Sequence, residues 1–270
     1  MAERIFIDTQ SANAMIDNGS AYVIDSTLLQ NENSRIKHFE NRIRGAKYFS
    51  IAEIRDTSAP LSLAWPTFQQ FTEAMIKIRL PNDGKAVIVY DQTGFGTAAR
   101  GWAMLKYFGY PNVFILDGGL PKWVAEGRPT ETGEYELNFT DPVDWRQYLV
   151  TEHHEMRVLI DTVEQIVNQK NSGDNRFAIW DPRPPNMFQA GSIPTAVNLP
   201  ASTFFNADKT IKSPEEVREL LQQHGLGGEV ITSCMKGINA SLGYALQKYS
   251  GNDHAHIYTG SFEEWKKLKG

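Results

Sequence analysis

One pattern occurs twice in this chain at an offset of about 143 positions, and that repetition limits the possible folds more than any other feature. Ala86-Val87-Ile88-Val89-Tyr90-Asp91 is an apolar run that enters a glycine-containing turn and then a helical pattern. Glu229-Val230-Ile231-Thr232-Ser233-Cys234 does the same, with Lys236-Gly237 in the turn. Asp91 and Cys234 stand 143 positions apart, and Trp123 and Trp265, which close the next matching segments, stand 142 apart. Upstream, Tyr22-Val23-Ile24-Asp25 pairs with Phe177-Ala178-Ile179-Trp180-Asp181. Each is followed by an Ile-x-x-Ala segment, Ile43 to Ala46 and Ile193 to Ala196. Four features in the same order mark a tandem duplication of a domain.

Short apolar runs at Ala86–Tyr90, Val113–Leu116 and Val230–Ser233 are expected to be buried strands. Ala98–Phe108 and Ile238–Tyr249 carry apolar residues at helical spacing, with Gly109 and Gly251 where helices stop. Strands alternating with helices predict an α/β fold, two tandem domains that are each a mainly parallel sheet flanked by helices. The expected division is residues 1–127, a polar linker at 128–157 that contains Asp141-Pro142, and residues 158–270. The matched Trp123 and Trp265 are expected to anchor the two cores. Asp25 and Asp181 are expected to fix turns through local hydrogen bonds.

The chain has 270 residues and a formal charge of −5, which argues against a general nucleic-acid-binding surface. No run approaches the roughly 20 apolar residues that span a bilayer. Met1 to Asp8 shows no signal-like apolar stretch, and Glu3 and Asp8 break the acid-poor pattern of a presequence. With one cysteine, an intramolecular disulfide framework and a multi-cysteine zinc site are both excluded. A reducing compartment is expected, the cytoplasm first, with a mitochondrial location as the alternative. His153-His154, and the alternating His254 and His256, lack the partners of a metal site. Gly94-Phe95-Gly96 lacks the Gly-Lys-Ser/Thr ending of a phosphate loop.

The chemistry points to Cys234. A strand that turns into a helix presents backbone N–H groups and the positive end of the helix dipole to whatever sits in the turn. A thiol held there beside Lys236 favours the thiolate, the reactive form. Gly237 lets the loop fold tightly. The loop Cys234-Met235-Lys236-Gly237-Ile238-Asn239 thus has the layout of a covalent nucleophile in an anion cradle.

With Cys234 in such a loop in only one of two repeated halves, the sequence resembles the tandem-domain rhodaneses, the thiosulfate/3-mercaptopyruvate sulfurtransferase family. The resemblance runs from about Tyr22 to Trp265 and includes Arg42-Ile43-Arg44-Gly45-Ala46, Gly118-Gly119 with Trp123, Asp181-Pro182-Arg183 and Gly191-Ser192-Ile193-Pro194. It implies a sulfane-sulfur transfer from thiosulfate or 3-mercaptopyruvate to a thiophilic acceptor such as cyanide or a thiol, through a persulfide on Cys234. It implies substrate contacts from Arg183 and Lys236, an active-site loop of Met235, Gly237, Ile238 and Asn239, and no cofactor or metal. The expected partners are a small-molecule donor and acceptor and a thiol protein such as thioredoxin, with no nucleic acid and no membrane.

Three departures from the family pattern bear on activity. Members that prefer thiosulfate resemble Cys-Arg-Lys-Gly-Val-Thr, and those that prefer mercaptopyruvate resemble Cys-Gly-Ser/Thr-Gly-Val-Thr. Lys236 follows the first type, while Met235 and Asn239 replace its arginine and threonine. Met187 stands where a second donor-holding arginine is usual, which removes a bidentate clamp. The alternative function is therefore a catalytically weak rhodanese module, a sulfur carrier or protein-binding domain. A rhodanese-like phosphatase would need a longer loop closing on arginine, and Ala240-Ser241 follow Asn239 instead.

Overall fold

The structure is a computed structural model that describes residues 4–30, 32–94, 96–135 and 143–270. Asp141-Pro142 of the predicted linker, Phe95 of the first-half loop and the first three residues of the chain lie outside the described residues.

The chain divides into two compact units. The first spans Phe6–Ser58 and Trp65–His153. Its strands are β1 (Phe6–Ile7), β2 (Ala21–Asp25), β3 (Arg42–Ile43), β4 (Lys47–Tyr48), β5 (Ala86–Tyr90), β6 (Val113–Leu116) and β7 (Thr130–Glu131). Its helices are α1 (Thr9–Asp17), α2 (Ser34–Glu40), α3 (Phe68–Lys77), α4 (Thr97–Tyr107) and α5 (Gly119–Ala125). Five strands form one sheet in the order β1-β6-β5-β2-β4, and every pairing in it is parallel.

The second unit contains His154–Gly270 together with Ala59–Ala64 and the chain start up to Ile5. Its strands are β8 (Arg157–Val158), β9 (Phe177–Asp181), β10 (Val197–Asn198), β11 (Glu229–Thr232) and β12 (Ala255–Tyr258). Its helices are α6 (Ile160–Asn171), α7 (Pro185–Gln189), α8 (Pro214–Gln223), α9 (Ile238–Tyr249) and α10 (Ser261–Lys269). The sheet order is β8-β12-β11-β9-β10, again with only parallel pairings. Strand for strand this is the order of the first sheet, so the repetition in the sequence is a repetition of topology.

The predicted elements appear with small shifts at their ends. Strands Ala86–Tyr90 and Val113–Leu116 and helix Ile238–Tyr249 keep their predicted bounds. Gly109 (φ 82°) and Gly251 (φ 87°) follow the C-caps of α4 and α9. The five residues of β5 are all buried, as a central parallel strand covered on both faces must be. Trp123 and Trp265 sit in the two separate cores, Trp123 1% and Trp265 8% exposed. Asp25 and Asp181 each accept the amide two residues ahead, Thr27 N at 3.0 Å and Arg183 N at 3.1 Å.

Much of segment 128–157 packs on the first unit. Thr130–Glu131 pairs antiparallel with Arg42–Ile43, and Arg42 Nε donates to Glu131 at 2.9 Å. The amides of Thr151 and His153 bind the carbonyls of Phe108 and Tyr107. The division between the units falls between His153 and His154. No helix among the described residues is long and apolar enough to cross a membrane.

Candidate active site

β11 delivers Ser233 and Cys234 to the C-terminal edge of the second sheet, where open parallel sheets place their ligands. The loop then turns at Gly237, whose φ of 82° suits glycine, and α9 begins at Ile238. The turn brings the Gly237 amide to 3.1 Å from Cys234 Sγ. A backbone donor at the start of a twelve-residue helix is therefore aimed at the sulfur and stabilises negative charge on it. Ser241 closes the turn, its amide and hydroxyl both donating to the Gly237 carbonyl.

The loop is held from below by the start of α10. The Phe262 amide donates to the Cys234 carbonyl at 2.9 Å and the Glu263 amide to the Met235 carbonyl at 3.0 Å. Ser261 is fully buried. Its hydroxyl accepts the Cys234 amide at 3.1 Å, donates to the Tyr258 carbonyl at 2.9 Å, and lies 3.9 Å from Sγ. The sequence offered Ser261 only as part of a repeat landmark. Its role depends on a contact across 27 positions, which no local pattern displays.

Cys234 is 3% exposed, and its loop is graded in exposure. Gly237 is buried, Met235, Ile238 and Asn239 are half-buried, and Lys236 is exposed with no ion pair among the described residues. The lysine is exposed and the sulfur buried, so the one charge of this loop is open to solvent.

Arg183 is 1% exposed and braces the neighbouring loop. Its Nε and Nη2 donate to the Asp181 carboxylate at 2.6–3.0 Å, and Nη2 also reaches the Gly191 carbonyl at 2.8 Å. Nη1 has no hydrogen-bond partner among the described residues. The guanidinium lies 5.6 Å from the ring of Phe262, so the brace packs on the residue whose amide holds the Cys234 carbonyl. Met187, on α7, is 38% exposed.

The first unit has the same loop with the cradle filled. Leu120 N donates to the Asp91 carbonyl at 3.1 Å, as Phe262 N does to that of Cys234. The Asp91 carboxylate is buried and takes five donors, the amides of Thr93, Gly94 and Ala98 and the hydroxyls of Thr93 and Thr97. Those loop donors are spent on the chain's own carboxylate, and no nucleophile occupies the position.

Comparison with known proteins identifies the family. The Rhodanese-like domain family matches residues 8–126 and 162–268. The thiosulfate sulfurtransferase of Gallus gallus is 32% identical over 254 residues, covering 87% of this chain and 82% of that protein. The 3-mercaptopyruvate sulfurtransferase of Homo sapiens is 30% identical over 240 residues, 85% and 78% of the two chains. The crystal structure of SseA from Escherichia coli superposes with a TM-score of 0.84 at 25% identity, covering 96% of this chain and 99% of that one. The two matched domains and these relatives define a tandem-domain sulfurtransferase. The chain belongs to the rhodanese family.

Proposed function

We propose that this protein moves a sulfane sulfur from thiosulfate or 3-mercaptopyruvate to a thiophilic acceptor through a persulfide on Cys234. The observation that carries this reading is the Gly237 amide 3.1 Å from Sγ at the start of α9. With thiosulfate, the Cys234 thiolate attacks the outer sulfur, the S–S bond breaks and sulfite leaves with the electron pair. With 3-mercaptopyruvate, the C–S bond breaks, and the carbon keeps the pair and takes up the thiol proton as pyruvate forms. Cyanide or a thiolate then attacks the terminal sulfur, the Sγ–S bond breaks, and the Cys234 thiolate is restored. Both steps are sulfur-to-sulfur or carbon-to-sulfur displacements that need no metal or organic cofactor.

Lys236 draws the anionic donor to the loop, and the amides of Met235 to Asn239 stabilise the charge that develops on sulfur. Arg183 contributes through Nη1, its one donor without a partner among the described residues. In the cell a thiol replaces cyanide, free or on a protein of the thioredoxin kind, in a cytoplasm where the single cysteine stays reduced. Release of thiocyanate from thiosulfate and cyanide tests the proposal. Turnover that Cys234→Ser abolishes is the expected result, and turnover unchanged by it overturns the proposal.

A second reading has one specific observation in its favour. Met187 occupies the usual arginine place, and three of the hydrogen bonds made by Arg183 go to Asp181. A site so short of cations fits a sulfur carrier, loaded by an upstream enzyme better than by a free dianion. Persulfide formation from a protein or alkyl persulfide donor, without thiosulfate turnover, is the result that selects it.

A further inference from the structure

The first unit holds a cavity of about 690 Å³ to which the sulfur chemistry gives no role. That volume matches sites for small organic ligands. All of its lining residues belong to the first unit. Three rings, Phe39, Tyr48 and Tyr135, form part of the lining. Ile54, Ala74 and Ile78 add apolar surface. Phe39 and Tyr135 are half-buried and meet edge to face at 5.8 Å, so the ring wall is packed rather than loose.

The charges around this apolar body do not cancel. Arg35 and Glu53 neutralise each other through a two-pronged pair at 2.8 and 3.0 Å. Among the described residues Glu73 accepts only the neutral Gln69 amide. Arg55 gives Nε to the Ala52 carbonyl, and neither Arg55 nor Lys77 has an ion pair among the described residues. Three cations against two anions leave one positive charge over an aromatic wall.

A second observation comes from behind the rings. His38 is fully buried, with Nδ1 3.0 Å from Asp25 Oδ2. Its ring centroid lies 5.4 Å from those of Phe39 and Tyr48 and 5.7 Å from that of Tyr135, the same three rings that line the cavity. Nε2 has no hydrogen-bond partner among the described residues. An unpaired buried polar atom is rare in a folded protein and calls for a partner. His38 does not itself line the cavity; it lies behind the three rings that do and fixes them from the protein side.

We propose that this cavity binds a small aromatic monoanion, an aryl carboxylate or aryl sulfonate, at a site built by the first unit alone. The aromatic body stacks on Phe39, Tyr48 and Tyr135, and the acid group meets Arg55 and Lys77. This proposal is independent of the sulfur-transfer reading.

The probe is 1-anilinonaphthalene-8-sulfonate, titrated by fluorescence into the folded full-length protein with and without saturating thiosulfate. One site per chain with micromolar affinity, indifferent to thiosulfate, is expected. Lys77→Glu, an exposed position that leaves the fold intact, weakens binding about tenfold. Ala74→Trp fills the cavity and abolishes binding; if that variant melts early, Lys77→Glu decides. Both variants keep the wild-type rate of thiocyanate formation. Absence of binding, displacement of the probe by thiosulfate, or affinity unmoved by Lys77→Glu overturns the proposal.

Discussion

Ser261 holds φ at 54° in the position where the first unit has Gly119 at 56°. Left-handed backbone suits Gly119, where a Cβ would stand 2.6 Å from Gly94 Cα. The second unit accepts a strained serine there, and its hydroxyl takes the Cys234 amide. Ser261→Gly therefore separates stability from chemistry. It relieves about 1 kcal/mol of backbone strain and loses a hydrogen bond worth about 1 kcal/mol. Thermal melts are expected to stay near wild type, while stopped-flow persulfide formation slows several-fold.

At the matching loop positions, Asp91 and Cys234 put the same turn to opposite uses. Asp91→Ala strips five donors of their acceptor and leaves the buried amides of Gly94 and Ala98 unpaired. A loss of about 2–4 kcal/mol is expected from the first unit, read by denaturant melts. The Cys234 persulfide should still form in the surviving folded fraction.

Met187→Arg restores a cation where the surface can accept it, since Met187 is 38% exposed. An added guanidinium contact to a dianion should lower KM for thiosulfate about tenfold with little change in kcat. Steady-state kinetics in low salt check this, and added salt should erode the gain.

Arg183 predicts the opposite pattern. Its ion pair with Asp181 is buried, with side chains 1% and 3% exposed. Arg183→Ala leaves a buried carboxylate unpaired and should remove about 3–5 kcal/mol of stability. Arg183→Lys keeps the charge without the fork, so it should recover only part of that stability in the same melts.

Glu263 gives the second unit a pH dependence. Burial pushes its carboxyl up, but hydrogen bonds from Ser62 and Lys267 outweigh burial and hold it below the usual carboxylate range. Unfolding then takes up a proton, so this stability is present above the unfolded carboxyl's pKa and fades as pH falls through the folded value. Melts between about pH 6 and 3 should show a smaller acid-induced loss in Glu263→Gln than in wild type.

Strands β5, β6 and β11 were legible because they are short apolar runs ended by turn residues, whereas their order in the sheets was not read from the sequence. Cys234 was legible because its loop and helix start are contiguous in sequence. Arg183 showed as an Asp-x-Arg turn, but its reach to Gly191 did not. The pairing of Thr130–Glu131 with Arg42–Ile43 escaped because a two-residue strand has no period to detect. The Asp25–His38 contact and the Ser261 hydroxyl escaped because both depend on side chains meeting across the fold. The five donors on Asp91 lay within seven residues of it, yet only the folded loop shows them converging on one carboxylate.

Intact-mass spectrometry of reduced protein after incubation with thiosulfate, and separately with 3-mercaptopyruvate, tests sulfur transfer through Cys234 most directly. A gain of one sulfur atom with at least one donor is expected, absent in Cys234→Ser and removed by cyanide. A sulfur gain that persists in Cys234→Ser, or no gain with any donor including an alkyl persulfide, would contradict transfer through Cys234.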